Sequence, residues 1–482
     1  MTSPKIRDIK RAVSYPLAFL LALAVLCFTQ VLTAGDTASR VLHTIIAASG
    51  SADPAGGIYI PFSFQDATLN SRNAVAFDAI VTGPPATTGV FVGDGKTAST
   101  IALGISPDPA APSFGMVSNP FITSNGEVVF DALIDVFRSN GKTIVPLVRV
   151  GDPAPGGGLV TSLLGERAVN DHGAIAYVAS LSGAAATQAL FRTDGTRPTM
   201  IASDDVAPPT GGRFTALLSL VMNDRGQVAF HSEMAAGSAD HGIFRGEGGR
   251  LTPVFVTNQM APGGGAFQDC GIPEINARGQ VVAICSVMNS ASPGGLFVGD
   301  GTDSVAIALN GQPAPKGGNY DLFPGEFKLN ARGEVAFQAR LTSGASGMFR
   351  GDGKRTTTLA YVGANAPGTA GMFQSFGDLC ELGDDGRVAF VATLAIGVGG
   401  VDSSTNIGIW TGTSDQDLQL LVRTGDVIGG KVVTDLPIAG SASGHPLQIN
   451  GNSVLWRGKL GPAKAIVVSR ILDDNDAGSE KD

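Results

Sequence analysis

One nine-residue pattern recurs along most of this chain and constrains its fold more than any other feature. Its clearest copy, LNARGEVAF, spans Leu329–Phe337, with near-copies at Met222–Phe230 and Val169–Tyr177 and a weaker one at Leu382–Phe390. The Asn side chain can hydrogen-bond to the backbone two residues on, and the Gly three residues after it can adopt positive φ. Alternating apolar residues lead out of this turn. Each copy therefore predicts a β-hairpin.

These turns follow one another at nearly constant spacing. They begin at Asn70, Thr123, Asn170, Asn223, Asn276, Asn330, Gly383 and Asn450, separated by 53, 47, 53, 53, 54, 53 and 67 residues. Each unit continues with a variable segment, a short strand, a tight Asp-Gly or Asn-Gly turn, a fourth strand and a Gly/Pro-rich link such as 151–157. Four short antiparallel strands in about 53 residues are typical of a β-propeller blade. The repeat predicts an all-β chain folded as a β-propeller of eight four-stranded antiparallel blades, or seven if the irregular unit at Asn450 is not a full blade.

The two ends of the repeat region complement each other. The last unit runs from Leu447 to Val468 and contains three strands but no fourth. Residues 40–47 (RVLHTIIA) read as a strand that has no partner in the first unit. We expect this N-terminal strand to pair with the strand near 464–469 and close the ring, since that removes two open sheet edges.

The N-terminus has the features of an export signal. Basic residues between Lys5 and Arg11 precede the apolar run 16–28, and small residues follow at 33–35. The apolar run is short for a membrane span, which favours a cleaved signal over residues 1–35, with an uncleaved anchor as the alternative. We expect one propeller domain over 36–472, an acidic disordered tail over 473–482, and an exported protein that is periplasmic, on the cell surface or extracellular.

Composition and motifs narrow the partners. The net charge of -9 argues against nucleic acid or an anionic membrane surface as a partner. The sequence contains no nucleophile elbow, phosphate-binding loop or dinucleotide fingerprint in context, and its five histidines lack metal-site spacing. It therefore assigns no cofactor and no metal ligand. We expect a monomer that touches a membrane only if its N-terminal segment is uncleaved.

The repeated turns resemble those of the choice-of-anchor tandem-repeat family named for its NxxGxxAF motif. The closest matches are the turns at Asn170, Asn223 and Asn330, and the resemblance covers nearly all of 41–470. It implies export and a propeller-like fold, and it brings no activity and no site residues. The chain departs from the family pattern by ending in an acidic tail where the members carry varied anchors.

The strand before each repeated turn is expected to be the innermost strand of its blade. We name the four strands a to d from the inside outwards. Apolar and polar residues alternate along strand a, and Pro120 and Pro273 suit an edge strand. Its polar positions should line the central channel and make it acidic. The channel-lining candidates are Asp66, Asn119, Glu166, Glu274, Glu326, Lys328 and Glu381. Such a lining is either simply solvated or a site for a cation or basic ligand.

Two functions remain open from the sequence. The b–c and d–a links share the face opposite the tight turns and vary in length, as at 396–406 and 425–444. Long loops on a rigid scaffold often carry binding sites, although they can also be tolerated insertions. We expect an exported non-catalytic scaffold that binds a protein, polymer or envelope component through this face. The alternative is a propeller hydrolase or lyase, which would need two channel carboxylates with separated pKa values.

The cysteines offer one local prediction. Cys270 and Cys285 flank the turn at 276–279 symmetrically, so an antiparallel hairpin places them opposite each other. A disulfide between them is possible, and two small buried hydrophobic side chains are the alternative. Cys380 is expected to be a lone buried thiol.

Overall fold

The computed structural model describes residues 40–61, 64–83, 86–106, 108, 111–438 and 446–472. The predicted signal segment 1–35 and tail 473–482 lie outside the described residues. Val41–Leu472 forms one compact unit, and its described residues are all β or irregular, without a helix. Among the described residues, accordingly, no helix is long and apolar enough to cross a membrane.

Eight antiparallel sheets succeed one another along the chain, and the first seven keep their strands in sequence order. Strand β1 (Arg40–Ala48) belongs to the last sheet. Blades 1 and 2 contain β2 (Ala67–Leu69), β3 (Val75–Val81), β4 (Thr87–Gly93) and β5 (Ala98–Leu103), then β6 (Val117–Ile122), β7 (Val128–Ala132), β8 (Asp135–Ser139) and β9 (Ile144–Val148). Blades 3 and 4 contain β10 (Leu159–Val169), β11 (Ile175–Ser182), β12 (Gln188–Thr193) and β13 (Thr199–Ser203), then β14 (Arg213–Met222), β15 (Val228–Ala235), β16 (His241–Gly246) and β17 (Thr252–Val256).

In three of the other four blades the inner strand is interrupted. Blade 5 contains β18 (Ala266–Cys270), β19 (Glu274–Ile275), β20 (Val281–Met288), β21 (Gly294–Gly299) and β22 (Ser304–Leu309). Blade 6 contains β23 (Tyr320–Leu322), β24 (Phe327–Leu329), β25 (Val335–Leu341), β26 (Ser346–Gly351) and β27 (Thr356–Tyr361). Blade 7 contains β28 (Phe373–Leu382), β29 (Val388–Leu394), β30 (Ile407–Gly412) and β31 (Gln419–Arg423). Blade 8 contains β32 (Val427–Ile428), β33 (Lys431–Asp435), β34 (Leu447–Asn450), β35 (Ser453–Leu460) and β36 (Ala463–Leu472).

The inner strands of neighbouring blades contact one another around a ring. β10 contacts β14, β24 contacts β28, and β34 contacts both β28 and β2, which joins the last blade to the first. Strand β1 pairs with β36 at the outer edge of blade 8, and the Ser49 backbone N–H donates to the Lys464 carbonyl at 2.8 Å. The predicted eight-bladed propeller closed by its N-terminal strand is therefore confirmed.

The aromatic residue that ends the motif forms the core between blades. Phe230 lies directly across from Phe244 on the next strand, with ring centroids 6.0 Å apart, and both side chains are fully buried. They pack with Ala176 and Val178 of the preceding blade. Burying one such ring contributes about 1.5–3 kcal/mol, so the repeated Phe stabilises the blade and its contact with the next one.

The repeated Asn links adjacent blades as well as shaping its own turn. The Asn276 Oδ1 atom accepts hydrogen bonds from the backbone N–H groups of Arg278 and Gln280, both at 3.0 Å. Its Nδ2 atom donates to the carbonyl of Asn330, the first turn residue of the next blade, at 2.9 Å. The equivalent inter-blade bonds run from Asn70 to Thr123, Asn170 to Asn223, Asn223 to Asn276 and Asn330 to Gly383.

An arginine at the end of strand c makes a second link of the same kind. Arg192 Nη1 donates to the carbonyl of Gly226, the fourth turn residue of the next blade, at 2.7 Å. Arg245 and Arg350 donate in the same way to Gly279 and Gly386. The motif residues are thus engaged in holding the ring together, on the face that carries the a–b and c–d turns, here called the turn face.

Candidate functional site

Lys328, on the inner strand of blade 6, contacts one glutamate from the inner strand of each neighbouring blade. Lys328 Nζ lies 3.0 Å from Glu274 Oε1 and 3.7 Å from Glu381 Oε1. Each of the three side chains comes two residues before its repeated turn, so the blade repeat places them side by side. The Lys328 and Glu381 side chains are only 15% and 16% exposed, so this charged group is largely screened from water.

The close packing of these charges shifts their pKa values. Burial opposes the charge on Lys328, but the carboxylates of Glu274, Glu381 and Glu326 together hold its pKa well above the ordinary value. Burial raises the pKa of Glu381 to about 7, while Lys328 counteracts part of that shift. Burial also raises the pKa of Glu326. The cluster can therefore hold a proton near neutral pH. The space beside Glu326 is lined by Phe323, Phe327 and neighbouring residues, and it is too narrow to admit a water molecule.

The other channel candidates lie elsewhere. Asp66 is buried, and its backbone N–H donates to Asp78 Oδ1 at 2.8 Å. Asn119 is exposed and its Nδ2 atom donates to Asp131 Oδ2 at 2.7 Å. The side chain of Glu166 lies outside the described residues. Of the seven candidates, the structure brings together Glu274, Glu326, Lys328 and Glu381.

A second buried carboxylate lies where the ring closes. Asp78 on β3 accepts hydrogen bonds from the backbone N–H groups of Gln65 and Asp66. Burial raises the pKa of Asp78 to about 7; these hydrogen bonds and the nearby Arg457 of blade 8 only partly offset it. Arg457 Nη1 donates to the Phe64 carbonyl at 3.0 Å, which ties the last blade to the first.

The d–a links form a repeated rigid hairpin rather than irregular loops. In six of them, the backbone N–H at the start of the link donates to the carbonyl of a buried residue at the far end of the hairpin. The pairs are Gly50 to Tyr59, Gly151 to Val160, Asn258 to Phe267, Gly311 to Tyr320, Gly363 to Phe373 and Gly425 to Val433, at 2.7–2.9 Å. These hairpins and the b–c links make up the face opposite the turn face, here called the link face.

Exposed apolar side chains concentrate on this link face. Among the described residues, twenty large hydrophobic side chains are exposed. Fourteen lie in the b–c or d–a links or in strand residues next to them: Ile58, Ile105, Met116, Leu133, Ile134, Leu159, Val206, Met260, Leu322, Met372, Ile396, Val398, Val427 and Val432. The other six, Leu42, Val145, Leu218, Ile272, Val305 and Ile438, lie on outer strands or on inner strands and their interruptions. Of these, Val145 and Val305 lie near the c–d turns, as the second residues of β9 and β22.

Two histidines and one aspartate converge between blades 4 and 5. His231 on β15 and His241 on β16 have nearly parallel rings with centroids 6.2 Å apart. Asp269 Oδ1, on the inner strand β18 of the next blade, lies 3.5 Å from His231 Nε2 and 3.9 Å from His241 Nδ1. One potential ligand atom from each residue lies within 4.8 Å of the other two, so these side chains could hold a metal ion.

The turn face carries a charged cleft of about 470 Å³ between blades 2, 3 and 4. It is lined by Arg138, Arg192, Arg197 and Arg225, together with His172, Asp194 and Asp224. Arg192 already donates to the Gly226 carbonyl, and Arg138 lies 3.9 Å from Glu127. These arginines thus take part in contacts within and between blades.

A known family matches most of this chain. The model of a family of unknown function, DUF7453, matches residues 135–437. The chain belongs to this family. The matched region of this chain runs from strand c of blade 2 into blade 8. Curated protein sequences contain no match to this DUF7453 chain.

Three solved structures similar to this DUF7453 member belong to different proteins. One is the β-propeller domain of the Trilobed protease from Pyrococcus furiosus, with 11% identity, a TM-score of 0.39, and 76% of this chain and 99% of that one covered. A puromycin-hydrolyzing peptidase of Mycobacterium tuberculosis matches with 11% identity and a TM-score of 0.42, covering 82% of this chain and 58% of that one. The WD40 domain of SCAP from fission yeast matches with 8% identity and a TM-score of 0.39, covering 90% and 98%. Likeness at this level concerns the fold alone.

Sequence reasoning missed Asp78 and His231, although a simple signal marks both. Each directly follows the motif aromatic on strand b, a position held by Val178 and Ile284 in other blades. Asp78 contacts the inner segment of its own blade, and His231 contacts the inner strand of the next. A polar residue directly after the motif Phe therefore indicates a side chain that reaches an inner strand.

Proposed function

We propose that this protein is an exported, non-catalytic scaffold that binds a protein, polymer or envelope component through its link face. The observation that carries the proposal is the placement of exposed apolar side chains, fourteen of twenty in the links of that one face or next to them. Exposed apolar groups on one side of a soluble domain commonly mark an interaction surface. In this reading the ring supplies rigidity and the links supply contacts.

The hairpin form of the d–a links supports binding by a preorganised surface. The exposed Ile58 and Leu159 lie on hairpins bridged at Ala52–Ile58 and Pro153–Leu159. A hairpin closed by backbone hydrogen bonds loses little conformational freedom when a partner binds. Apolar side chains on such hairpins can therefore contribute to affinity without a large ordering cost.

Export is supported by three observations. The N-terminal sequence has a basic stretch followed by an apolar run and small residues. Cys270 and Cys285 form a disulfide, a bond that persists in oxidising compartments. The repeats resemble those of the exported NxxGxxAF family. N-terminal sequencing of the protein from its own cells tests this part, with a mature start near residue 36 as the expected result.

The inner-strand carboxylates favour a structural role over catalysis. The alternative, a hydrolase or lyase, would use Glu274 and Glu381, and the raised pKa of Glu381 favours it. However, both carboxylates already have a partner, since Lys328 Nζ lies 3.0 Å from Glu274 Oε1 and 3.7 Å from Glu381 Oε1. We propose that these charges stabilise one another inside the ring. Glu381→Gln would abolish any turnover under the alternative and leave link-face binding intact under our proposal.

A binding experiment with matched variants tests the link face. Residues 36–482 are immobilised through the C-terminal tail and incubated with solubilised envelope from the protein's own cells, with and without chelator. The test variant carries Ile58→Thr, Leu159→Thr and Met260→Thr, and we expect at least about a tenfold loss of the retained component, equivalent to about 1.4 kcal/mol.

The matched control carries the same chemical change away from the link face. Leu42→Thr, Val145→Thr and Val305→Thr alter exposed apolar residues on outer strands. This variant should retain the bound component at the wild-type level. Equal retention by the wild type and the link-face variant would contradict the proposal, as would equal losses in both variants.

A further inference from the structure

The junction of blades 4 and 5 contains a side-chain cluster that the proposed binding role does not use. There, His231, His241 and Asp269 come from three strands and two blades. The separations along the chain are 10 and 28 residues, so no local metal motif is present in the sequence. The ring of blades alone brings the three side chains together.

The two ring nitrogens that face Asp269 are shielded from solvent without a hydrogen-bond partner. His231 Nε2 and His241 Nδ1 are both buried atoms to which no hydrogen bond is formed. Leaving buried polar atoms unsatisfied costs about 1–3 kcal/mol each, so a group that completes this site would be stabilising. Asp269 Oδ1, at 3.5 and 3.9 Å, is too distant from them for a good hydrogen bond.

These distances suit an ion between the three atoms. With metal–ligand bonds of about 2.0–2.2 Å, two ligand atoms of a tetrahedral zinc site lie about 3.4 Å apart. The three atoms already lie within 4.8 Å of one another, so they must approach one another further to bind one ion. Two imidazoles and one carboxylate suit Zn²⁺ and related transition metals, whereas Ca²⁺ and Mg²⁺ prefer oxygen ligands.

The strands around the site hold its ligands in place. Asp269 Oδ1 accepts a hydrogen bond from the Cys270 backbone N–H at 2.8 Å, and Cys270 is fixed to the neighbouring strand by its disulfide to Cys285. The His241 backbone N–H donates to Thr257 Oγ1 at 3.1 Å, which ties the start of β16 to the neighbouring d–a link. Such supporting contacts orient the ligands of metal sites.

We propose that His231, His241 and Asp269 bind one divalent transition-metal ion, with Zn²⁺ as the best-fitting ion, between blades 4 and 5. The ion has three protein ligands and keeps a fourth position for water or for a donor group of a bound partner. Because the ligands come from two blades, binding also stabilises their junction. The proposal does not depend on the proposed link-face function.

Titration of the metal-free protein tests this site directly. Residues 36–482 without an affinity tag, treated with chelator under non-reducing conditions, are titrated with Zn²⁺ by calorimetry and with Co²⁺ by visible absorption. We expect one ion per chain with a dissociation constant on the order of 1 μM or tighter. The visible absorption bands of Co²⁺ should be those of an ion with a low coordination number. Zn²⁺ should also raise the midpoint of thermal unfolding.

Variants of the ligands complete the test. Asp269→Asn keeps the side-chain shape and should weaken Zn²⁺ binding at least about 100-fold and remove the thermal shift; His241→Ala should do the same. His172→Ala, at an exposed histidine on the turn face, should bind like the wild type. The proposal is overturned if the wild type takes up no ion. It is also overturned if Asp269→Asn and His172→Ala both bind Zn²⁺ as tightly as the wild type. The wild-type titration decides even if a variant fails to fold.

Discussion

The side-chain amide of Asn276 donates a hydrogen bond to the main-chain carbonyl of Asn330, 2.9 Å away in the next blade. The same side chain accepts two backbone hydrogen bonds within its own turn. One residue of the repeat therefore sets the local turn and the lateral contact between blades. Because each blade positions the next through such a bond, repetition of this residue along the chain favours a closed ring.

Replacing Asn276 should reduce the stability of the protein more than replacing an Asn whose hydrogen bonds all lie within its own turn. Asn276→Ala removes four hydrogen bonds, including one to Gln280 Oε1, and leaves buried backbone groups without partners. We expect it to lower the free energy of unfolding by about 2–3 kcal/mol. Asn140→Ala is the matched control, since Asn140 Oδ1 accepts from the Lys142 and Thr143 N–H groups and from the Thr143 hydroxyl, all within its own exposed c–d turn. The control should cost about 1 kcal/mol or less. Equal losses in denaturant titrations of the two variants would show that the inter-blade bond contributes nothing.

Asp78 should make the protein less stable as the pH rises towards neutrality. Its folded pKa is raised to about 7 against an ordinary value of 3.8, so between these values the folded protein keeps a proton that the unfolded chain releases. The stabilisation is fully present below pH 3.8 and is lost as the pH rises through about 7. Asp78→Asn retains an acceptor oxygen but does not titrate. We therefore expect this variant to lose up to about 4 kcal/mol less stability than the wild type over this pH range.

The measurement is the free energy of unfolding between pH 4 and pH 8, compared as the difference between wild type and variant. Asp94→Asn serves as the control, because hydrogen bonds from Thr97 and Lys96 lower the pKa of exposed Asp94 and place its titration below this range. A curve for Asp78→Asn parallel to that of the wild type would refute the assignment.

Lys328 should be essential for the charged cluster. Lys328→Met leaves Glu274 and Glu381 close together without their cation, and we expect a loss of about 3–5 kcal/mol at pH 8. The loss should be smaller at pH 5, below the raised pKa of Glu381, because that carboxyl is then protonated. Thermal and denaturant unfolding at the two pH values provide the comparison.

Two further variants sharpen this prediction. Lys328→Met combined with Glu381→Gln removes one of the repelling charges and should recover part of the stability at pH 8. Lys354→Met changes an exposed lysine in a c–d turn and should change stability by less than about 0.5 kcal/mol. A Lys328→Met protein as stable as the wild type at pH 8 would mean that the cluster is solvated rather than buried.

The cysteines should leave one reactive thiol in the mature chain, and only after unfolding. Cys270 and Cys285 are joined, while Cys380 is free and buried. Thiol counting should give one thiol in denaturant without reductant and none in the folded protein. Replacing both Cys270 and Cys285 by Ser opens a 15-residue loop and should cost about 3 kcal/mol. A count of three thiols in the denatured, unreduced protein would contradict the bond.

The sequence alone determined the architecture, because the fold repeats a local signal. Asn-x-x-Gly followed by alternating apolar residues specifies a hairpin within nine residues, and its spacing of about 53 residues specifies the blade. The missing fourth strand in the last unit and the spare strand at 40–47 together determine how the ring closes. The hairpin symmetry around 276–279 also places Cys270 opposite Cys285, as in the structure.

Only the tertiary structure decided which side chains meet across blades. Alternation along strand a marks Asp66 and Glu381 alike as polar, yet the structure buries Asp66 against the neighbouring strand and places Glu381 against Lys328. His231 and Asp269 are brought together only by the packing of blade 4 against blade 5. Contacts of this kind depend on inner-strand bulges and on the lateral register of neighbouring sheets. A local pattern encodes neither, because both arise when the ring closes.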